Sequence, residues 1–533
     1  MQLTFPGSMS TSTVASFALI LIVGLYIVRL LLRKPPVPLP PGPSPKFLVG
    51  NIADLPRRGG QEWLHWLQHK DLYGPISSVT SLGKTIIILN DVQTTIDLME
   101  KRSAIYSSRP KMAFAGEMIG WHDTLGLLPY SDRFRTYRKT LHRALGTSSA
   151  VARFTSLQEV EIRRFLLRVL REPDALLQHI RTEVGAVILK ISYGYTIQPH
   201  TNDPLVDLAN DAMTQLSMAA TPGAWLVDII PLMKYLPAWF PGAGFKQAAI
   251  EWRRTLMKTI DTPYAFVQQQ MKSAAHEPSV LASLLENARV IPGSEEEHVA
   301  KLSSSSLYTG GADTTVSSLS FFFLAMALFP EIQQKAQHEI DKVIGNTKLP
   351  SFNDRAKLPY IDALVKEVLR WQPVAPTGVP HASIADDIYQ GYFIPKGSVI
   401  IANIWGFMHD PSTYPDPMAF KPERFLDTDG HIPEPDPHNV AFGFGRRVCP
   451  GRILADSTIF LTIAQSLAVF KISKPIHDGK EAELKVDFLP GFICHPKPFK
   501  VNVQLRSLAH EGLIQSIEID HPWEESHAPF LNI

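Results

Sequence analysis

Cysteine is nearly absent: Cys449 and Cys494 are the only two in 533 residues. Two cysteines exclude a disulfide framework, a four-cysteine zinc site and an iron–sulfur cluster. Excess charge is missing too. The 52 Lys and Arg stand against 51 Asp and Glu, a balance of +1, so no electrostatic footprint for nucleic acid is present. There is no G-x-x-x-x-G-K-[ST] loop, no strand-linked G-x-G-x-x-G and no H-E-x-x-H. Nucleotide and flavin sites lack their usual marks, so electrons for any redox step must come from elsewhere. No Asn-x-Ser/Thr acceptor occurs either, in keeping with a body outside the secretory lumen.

What is present begins at the N-terminus. No charge occurs from Val14 to Val28; Arg29 interrupts, Leu30 to Leu32 resume the run, and Arg33 and Lys34 close it. A helix over 14–32 spans roughly 28 Å, close to a hydrocarbon core. The basic residues follow the apolar run, the order of a retained anchor rather than a cleaved signal peptide. The expectation is a membrane anchor over 1–34 and, over 35–45, a stiff proline-rich hinge "PPVPLPPGPSP". A single catalytic domain follows over 46–505, and a C-terminal tail over 506–533 has no assignable role. Apolar spacing in "QEWLHWLQHKDLYG" and "PEIQQKAQHEIDKVIG" predicts helices ending at Gly; "SLGKTIIILND" and "DDIYQGYFIPKGSVI" predict strands. The fold class expected is mainly α with a small β region.

A lone cysteine is ordinarily a small buried hydrophobe. The setting of Cys449 is different. Phe442, Gly445, Arg447, Cys449 and Gly451 form F-x-x-G-x-R-x-C-x-G. Glycines let backbone approach a flat partner, and Pro450 opens an apolar helix whose N-terminus favours a thiolate. A single thiolate ligand suits haem iron, and Arg447 suits a propionate. Together these residues resemble the haem-binding loop of the cytochrome P-450 superfamily, the haem-thiolate monooxygenases, with phrases such as "GYFIPKG" closest to fungal microsomal members. The resemblance covers nearly the whole chain to about Leu505.

That resemblance implies roles at further positions. Cys449 is the proximal iron ligand of haem b, iron protoporphyrin IX. "EVLR" and "PERF" imply a buried structural triad of Glu367, Arg370 and Arg424. "TGGADTTVSS", Thr309 to Ser318, matches the distal helix, with Asp313 and Thr314 as proton relay and Gly310 and Gly311 allowing close backbone approach. Each glycine costs a helix about 1 kcal/mol. "FRTYRKTLHR" matches a W-R-x-x-R region, placing Arg138 on a propionate; Phe134 stands where the family usually has Trp, and Phe has no donor. His381 matches a further propionate position. Electrons are implied to come from NADPH through a membrane-bound NADPH-cytochrome P-450 reductase, with cytochrome b5 as a second donor. The basic face around Lys139 and Arg143 is the expected docking side.

The segments "PKMAFAGEMIGW", "PVAPTGV" and "GFI" are the expected lining of an apolar substrate site, and Pro222 to Phe245 the expected lid. The implied reaction is hydroxylation or epoxidation of a lipophilic molecule, a terpenoid or polyketide of secondary metabolism. The expected location is the endoplasmic reticulum membrane, single-pass, with the catalytic domain cytosolic. Two alternatives stand beside it: a haem-thiolate isomerase or dehydratase without reductase, and a non-catalytic haem sensor.

Overall fold

The computed structural model describes residues 37–531, apart from 48, 58, 222, 274, 275, 288, 289, 429 and 490, together with residue 24. The expected anchor helix over 14–32 lies outside the described residues but for that one position.

The first helix, α1 (Glu62–Tyr73), buries Trp63, Trp66 and His69 and stops at Gly74, whose φ of 93° no longer suits a helix. Strands β1 (Ile76–Ser81) and β2 (Lys84–Leu89) then form an antiparallel hairpin. The main helices follow: α2 (Asp132–Leu145), α3 (Thr155–Arg171), α4 (Leu176–Tyr193), α5 (Pro204–Ala220), α6 (Phe245–Gln270), α7 (Glu295–Leu328), α8 (Pro330–Val343) and α9 (Pro359–Trp371). Short strands β3 (His381–Ala382), β4 (Asp387–Tyr389), β5 (Tyr392–Ile394) and β6 (Val399–Ala402) precede α10 (Arg452–Val469). Strands β7 (Phe470–Ser473) and β8 (Asn502–Leu505) pair antiparallel, and α11 (Leu508–Gln515) follows.

The largest sheet has the order β1-β2-β6-β3. Strand β6 runs parallel to β2, with Ile86 opposite Val399, and antiparallel to β3, with His381 opposite Ile400. This pairing brings His381 in from a distant part of the chain.

Helix α7 is the axis of the domain. Ser294 caps its first turn by accepting from the Glu297 N–H. Its last stretch, residues 321–328, is apolar all round, with Phe321, Phe322 and Phe323 fully buried, so every face of that stretch packs on protein. Each buried Phe contributes roughly 1.5–3 kcal/mol. Helices α7 and α10 are long and apolar enough to cross a bilayer, yet both lie mostly inside the domain.

The described part of the proline run is tied down. Ser78 N–H and Oγ donate to Pro41 O and Pro40 O at 2.8 and 2.6 Å, and Phe393 N–H donates to Pro38 O at 2.8 Å. Prolines cannot donate, but their carbonyls accept along the sheet edge. The C-terminal stretch is also docked. Trp523 lies under the guanidiniums of Arg164 and Arg168, Glu524 pairs with Lys190 at 2.7 Å, and Thr196 and His527 exchange hydrogen bonds.

Candidate functional site

A cavity of about 380 Å³ lies between α7 and the loop that leads into α10. Gly310, Gly311 and Thr314 line one side; Phe442, Gly443, Arg447, Cys449 and Gly451 line the other. Arg138 and His381 line it as well.

The loop is shaped by its own backbone. Cys449 N–H donates to Phe442 O at 2.8 Å, turning the chain back on itself. Gly445 sits at φ 53°, and a Cβ there would fall 2.3 Å from Met99 O. Its glycine is therefore demanded by packing of protein on protein. Burial pushes the Cys449 thiol up; the N–H of Gly451 and then Arg138 oppose this. The thiol thus meets a helix N-terminus and a cation, the surroundings that suit a thiolate ligand.

Arg138 donates to Val448 O at 2.6 Å. Arg447 donates to Ser107 O at 2.7 Å and Leu128 O at 2.8 Å, and its guanidinium lies over the Phe134 ring. His381 donates from Nδ1 to Tyr106 O at 2.7 Å, which leaves Nε2 free to face elsewhere. Sequence reasoning missed Arg109, which also lines the cavity and donates to Gly126 O, Val379 O and Pro380 O. Its only mark in the sequence is a charge directly before the apolar stretch beginning at Pro110.

Among the described residues no Asp or Glu lines this cavity, and Arg109, Arg138 and Arg447 have no carboxylate within ion-pair distance. Burial pushes Arg109 and Arg447 well down from the usual guanidinium range, each then pressed by a neighbouring arginine. Buried cations without anions are costly. The arrangement fits a flat, apolar group that carries two carboxylates at one edge and takes a thiolate from one face, as haem does.

The two distal glycines differ. A Cβ at Gly310 would meet nothing within 4 Å, whereas at Gly311 it would fall 2.7 Å from Ile188 Cδ1 on α4. Gly310 keeps the cavity open; Gly311 lets two helices touch. Thr314 Oγ1 donates to Gly310 O at 2.9 Å, so its oxygen remains an acceptor toward the cavity. Asp313, the other expected relay residue, is not among the lining residues; its Oδ1 meets His495 Nε2 at 3.0 Å.

The expected triad is assembled and buried. Glu367 and Arg370 form a two-pronged pair at 2.7 and 2.8 Å, and Arg424 Nε stands 3.6 Å from Glu367. Arg424 also reaches Glu434 at 3.3 Å, a partner the motifs did not indicate. Arg370 adds bonds to Met408 O and Pro417 O, fastening the segment before the thiolate loop.

Met112, Trp121, Val374, Val379, Phe492 and Ile493 line the rest of the cavity, from the three segments expected. Met213, Leu216 and Ala220 of α5 line it too and were not expected.

A cysteine loop, a long distal helix and an arginine-rich, carboxylate-free cavity define a haem-thiolate class of site. The chain belongs to the cytochrome P450 family, whose model matches residues 40–503. It is 48% identical to cytochrome P450 monooxygenase ppsD of Aspergillus oryzae, over 92% of this chain and 94% of that one. It is 49% identical to cytochrome P450 monooxygenase claR of Ampulloclitocybe clavipes, over 94% and 91%. It is 44% identical to O-methylsterigmatocystin oxidoreductase of Aspergillus flavus, over 95% and 96%. The protein is an oxidoreductase of the monooxygenase kind with haem iron as its cofactor.

Proposed function

We propose that the protein inserts one atom of dioxygen into a C–H or C=C bond of a neutral, lipophilic small molecule of secondary metabolism. The observation that carries this is the apolar, carboxylate-free cavity placed between Cys449 and Thr314. In this reading Cys449 would ligate the iron of haem b, and Arg109, Arg138, His381 and Arg447 would hold its carboxylates. When bound, the haem would supply the activation of dioxygen.

The chain's own residues bind, orient and deliver protons. Trp121, Leu216, Val374 and Phe492 exclude water and fix an apolar substrate by contact. The Thr314 oxygen accepts from a cavity water, and Asp313 recharges that water with protons drawn from solvent. Electrons come from NADPH through a membrane-bound flavoprotein reductase, with cytochrome b5 as a second donor. That reductase docks on the exposed Lys139 and Arg143 of α2. The apolar run over 14–32 holds the protein in the endoplasmic reticulum membrane with this domain in the cytosol. One relative is named for its action on O-methylsterigmatocystin, which supports a bulky neutral substrate here.

The test is Thr314→Ala with isotopic dioxygen, NADPH and reductase over a panel of terpenoids and polyketides. Product per NADPH should fall, released hydrogen peroxide should rise to match, and haem content should stay unchanged. A general-acid contribution is typically worth about 10²–10⁴-fold. Product that forms without NADPH and carries no oxygen label would overturn the reading in favour of an isomerase.

A further inference from the structure

The partner of Asp313 comes from an unexpected place. His495 Nε2 meets Asp313 Oδ1 at 3.0 Å, with the two side chains only 16% and 15% exposed. His495 closes a turn whose Phe492 and Ile493 line the main cavity. That turn is fastened on both sides. Cys494 N–H donates to Val374 O at 2.8 Å, and Leu489 N–H donates to His495 O at 2.9 Å. The Ser317 hydroxyl donates to Cys494 O, and Ser317 lies one helical turn beyond Asp313 on the same face of α7. The Ser317 bond from α7 and the bond to Val374 O therefore hold the turn that carries His495 beside the carboxylate. Asp313 also borders a second, small cavity of about 10 Å³, together with Arg181, Asn210 and Tyr308.

We propose that His495 is a positioning residue for proton delivery: it holds Asp313 paired beside the small cavity and away from the main one, and so limits how often the carboxylate turns toward Thr314. The proposal rests on the reading of Asp313 and Thr314 as a relay. Asp313 takes a proton from water in the small cavity and gives one to the water held by Thr314. Asp313 returns to its starting protonation state, and no electron moves. The same turn touches whatever fills the main cavity, so substrate contact and carboxylate position share one backbone segment.

The test uses the full-length, haem-loaded protein in lipid with reductase and NADPH and no added substrate. Consumed oxygen is divided between hydrogen peroxide and water, and water needs the further protons. Hydrogen–deuterium exchange of the peptide over 489–496 is measured on the same preparations. His495→Ala and Asp313→Ala should each speed exchange in that peptide, since either breaks the pair. Asp313→Ala should lower the water share. His495→Ala should raise it by up to about fivefold, the scale of one hydrogen bond. His495→Gln, which still donates to Asp313, should restore both readouts. In an Asp313→Ala background, His495→Ala should change the partition no further. An undiminished effect in that background, failure of the Gln rescue, or unchanged exchange in both single variants would overturn the proposal. Faster exchange in both variants with a wild-type partition in Asp313→Ala would instead show that Asp313 relays nothing, and the proposal would fall with that reading.

Discussion

The Arg447 guanidinium lies 3.7 Å from the centre of the Phe134 ring, so a cation and an aromatic face meet at the edge of the cavity. Both side chains are buried, where such a contact is worth about 2 kcal/mol. The indole donor usual in the family is absent, but the ring still fixes the arginine's plane.

Phe134→Leu should therefore loosen Arg447 without unfolding α2. Transfer of haem to apomyoglobin is expected to speed up by about 5- to 30-fold, the equivalent of about 1–2 kcal/mol. Phe134→Trp keeps the face and adds an N–H, and should slow the transfer below the wild-type rate. Equal rates in all three proteins would mean that the stacking does not hold the arginine.

The two cysteines should part company. Cys449→Ser is expected to abolish the red-shifted Soret band of the reduced carbonyl complex. Cys494 sits among Trp63, Phe321, Leu324 and Trp405, and burial pushes its thiol up. Cys494→Ser should keep the band while losing about 1–3 kcal/mol of stability for a hydroxyl placed in apolar surroundings. Absorbance and thermal melts read both.

The glycine pair should split by mechanism. Gly311→Ala places a methyl 2.7 Å from Ile188 Cδ1 and should cost about 1–3 kcal/mol through overpacking. Ile188→Val should recover part of that loss. Gly310→Ala meets open space and should raise helix stability by up to about 1 kcal/mol, while turnover falls because the methyl occupies the cavity. Melting temperature and NADPH-dependent product formation, measured on all four proteins, separate the two.

His438 supplies a pH dependence. Its Nδ1 and Nε2 meet Asp436 and Asp456 at 2.6 and 3.0 Å. Burial works against the imidazolium, but the two carboxylates outweigh it and hold the group at about 9. That lies above the ordinary histidine value, so its contribution is complete below about pH 6.5 and is lost as pH rises through 9. A shift of this size corresponds to at most about 3 kcal/mol. Asp436, held at about 2 with burial outweighed by His438, has the opposite sense; its contribution is present above about pH 4 and fades as pH falls toward 2. Thermal melts of wild type should drop between pH 6.5 and 9, and those of His438→Gln should stay flatter over the same range.

How far the sequence alone reaches can be seen at particular residues. The thiolate loop, Glu367 with Arg370, and the glycines of α7 are legible because their members lie within one turn or loop, where spacing dictates neighbours. Arg424 was reachable only through resemblance, and its second partner Glu434 through neither. Arg109 and His495 were not legible at all. Each is a single residue in an unremarkable stretch, and its neighbours are decided by how sheet, turn and helices pack. The two glycines of α7 read alike in the sequence but serve opposite ends, because one faces space and the other Ile188. The docked C-terminal stretch was opaque for a similar reason: Trp523 gains meaning only from Arg164 and Arg168 stacked over it.

The arginine-lined, carboxylate-free cavity also bears on how the protein is made. Arg447 lies close enough to both Arg109 and Arg138 to be repelled by each, and the backbone carbonyls they touch cannot neutralise them. In the proposed arrangement the missing negative charge arrives with the prosthetic group, and the last step of compaction would wait for it. Yield of folded protein in a heterologous host should therefore track the supply of porphyrin precursor rather than the strength of the promoter.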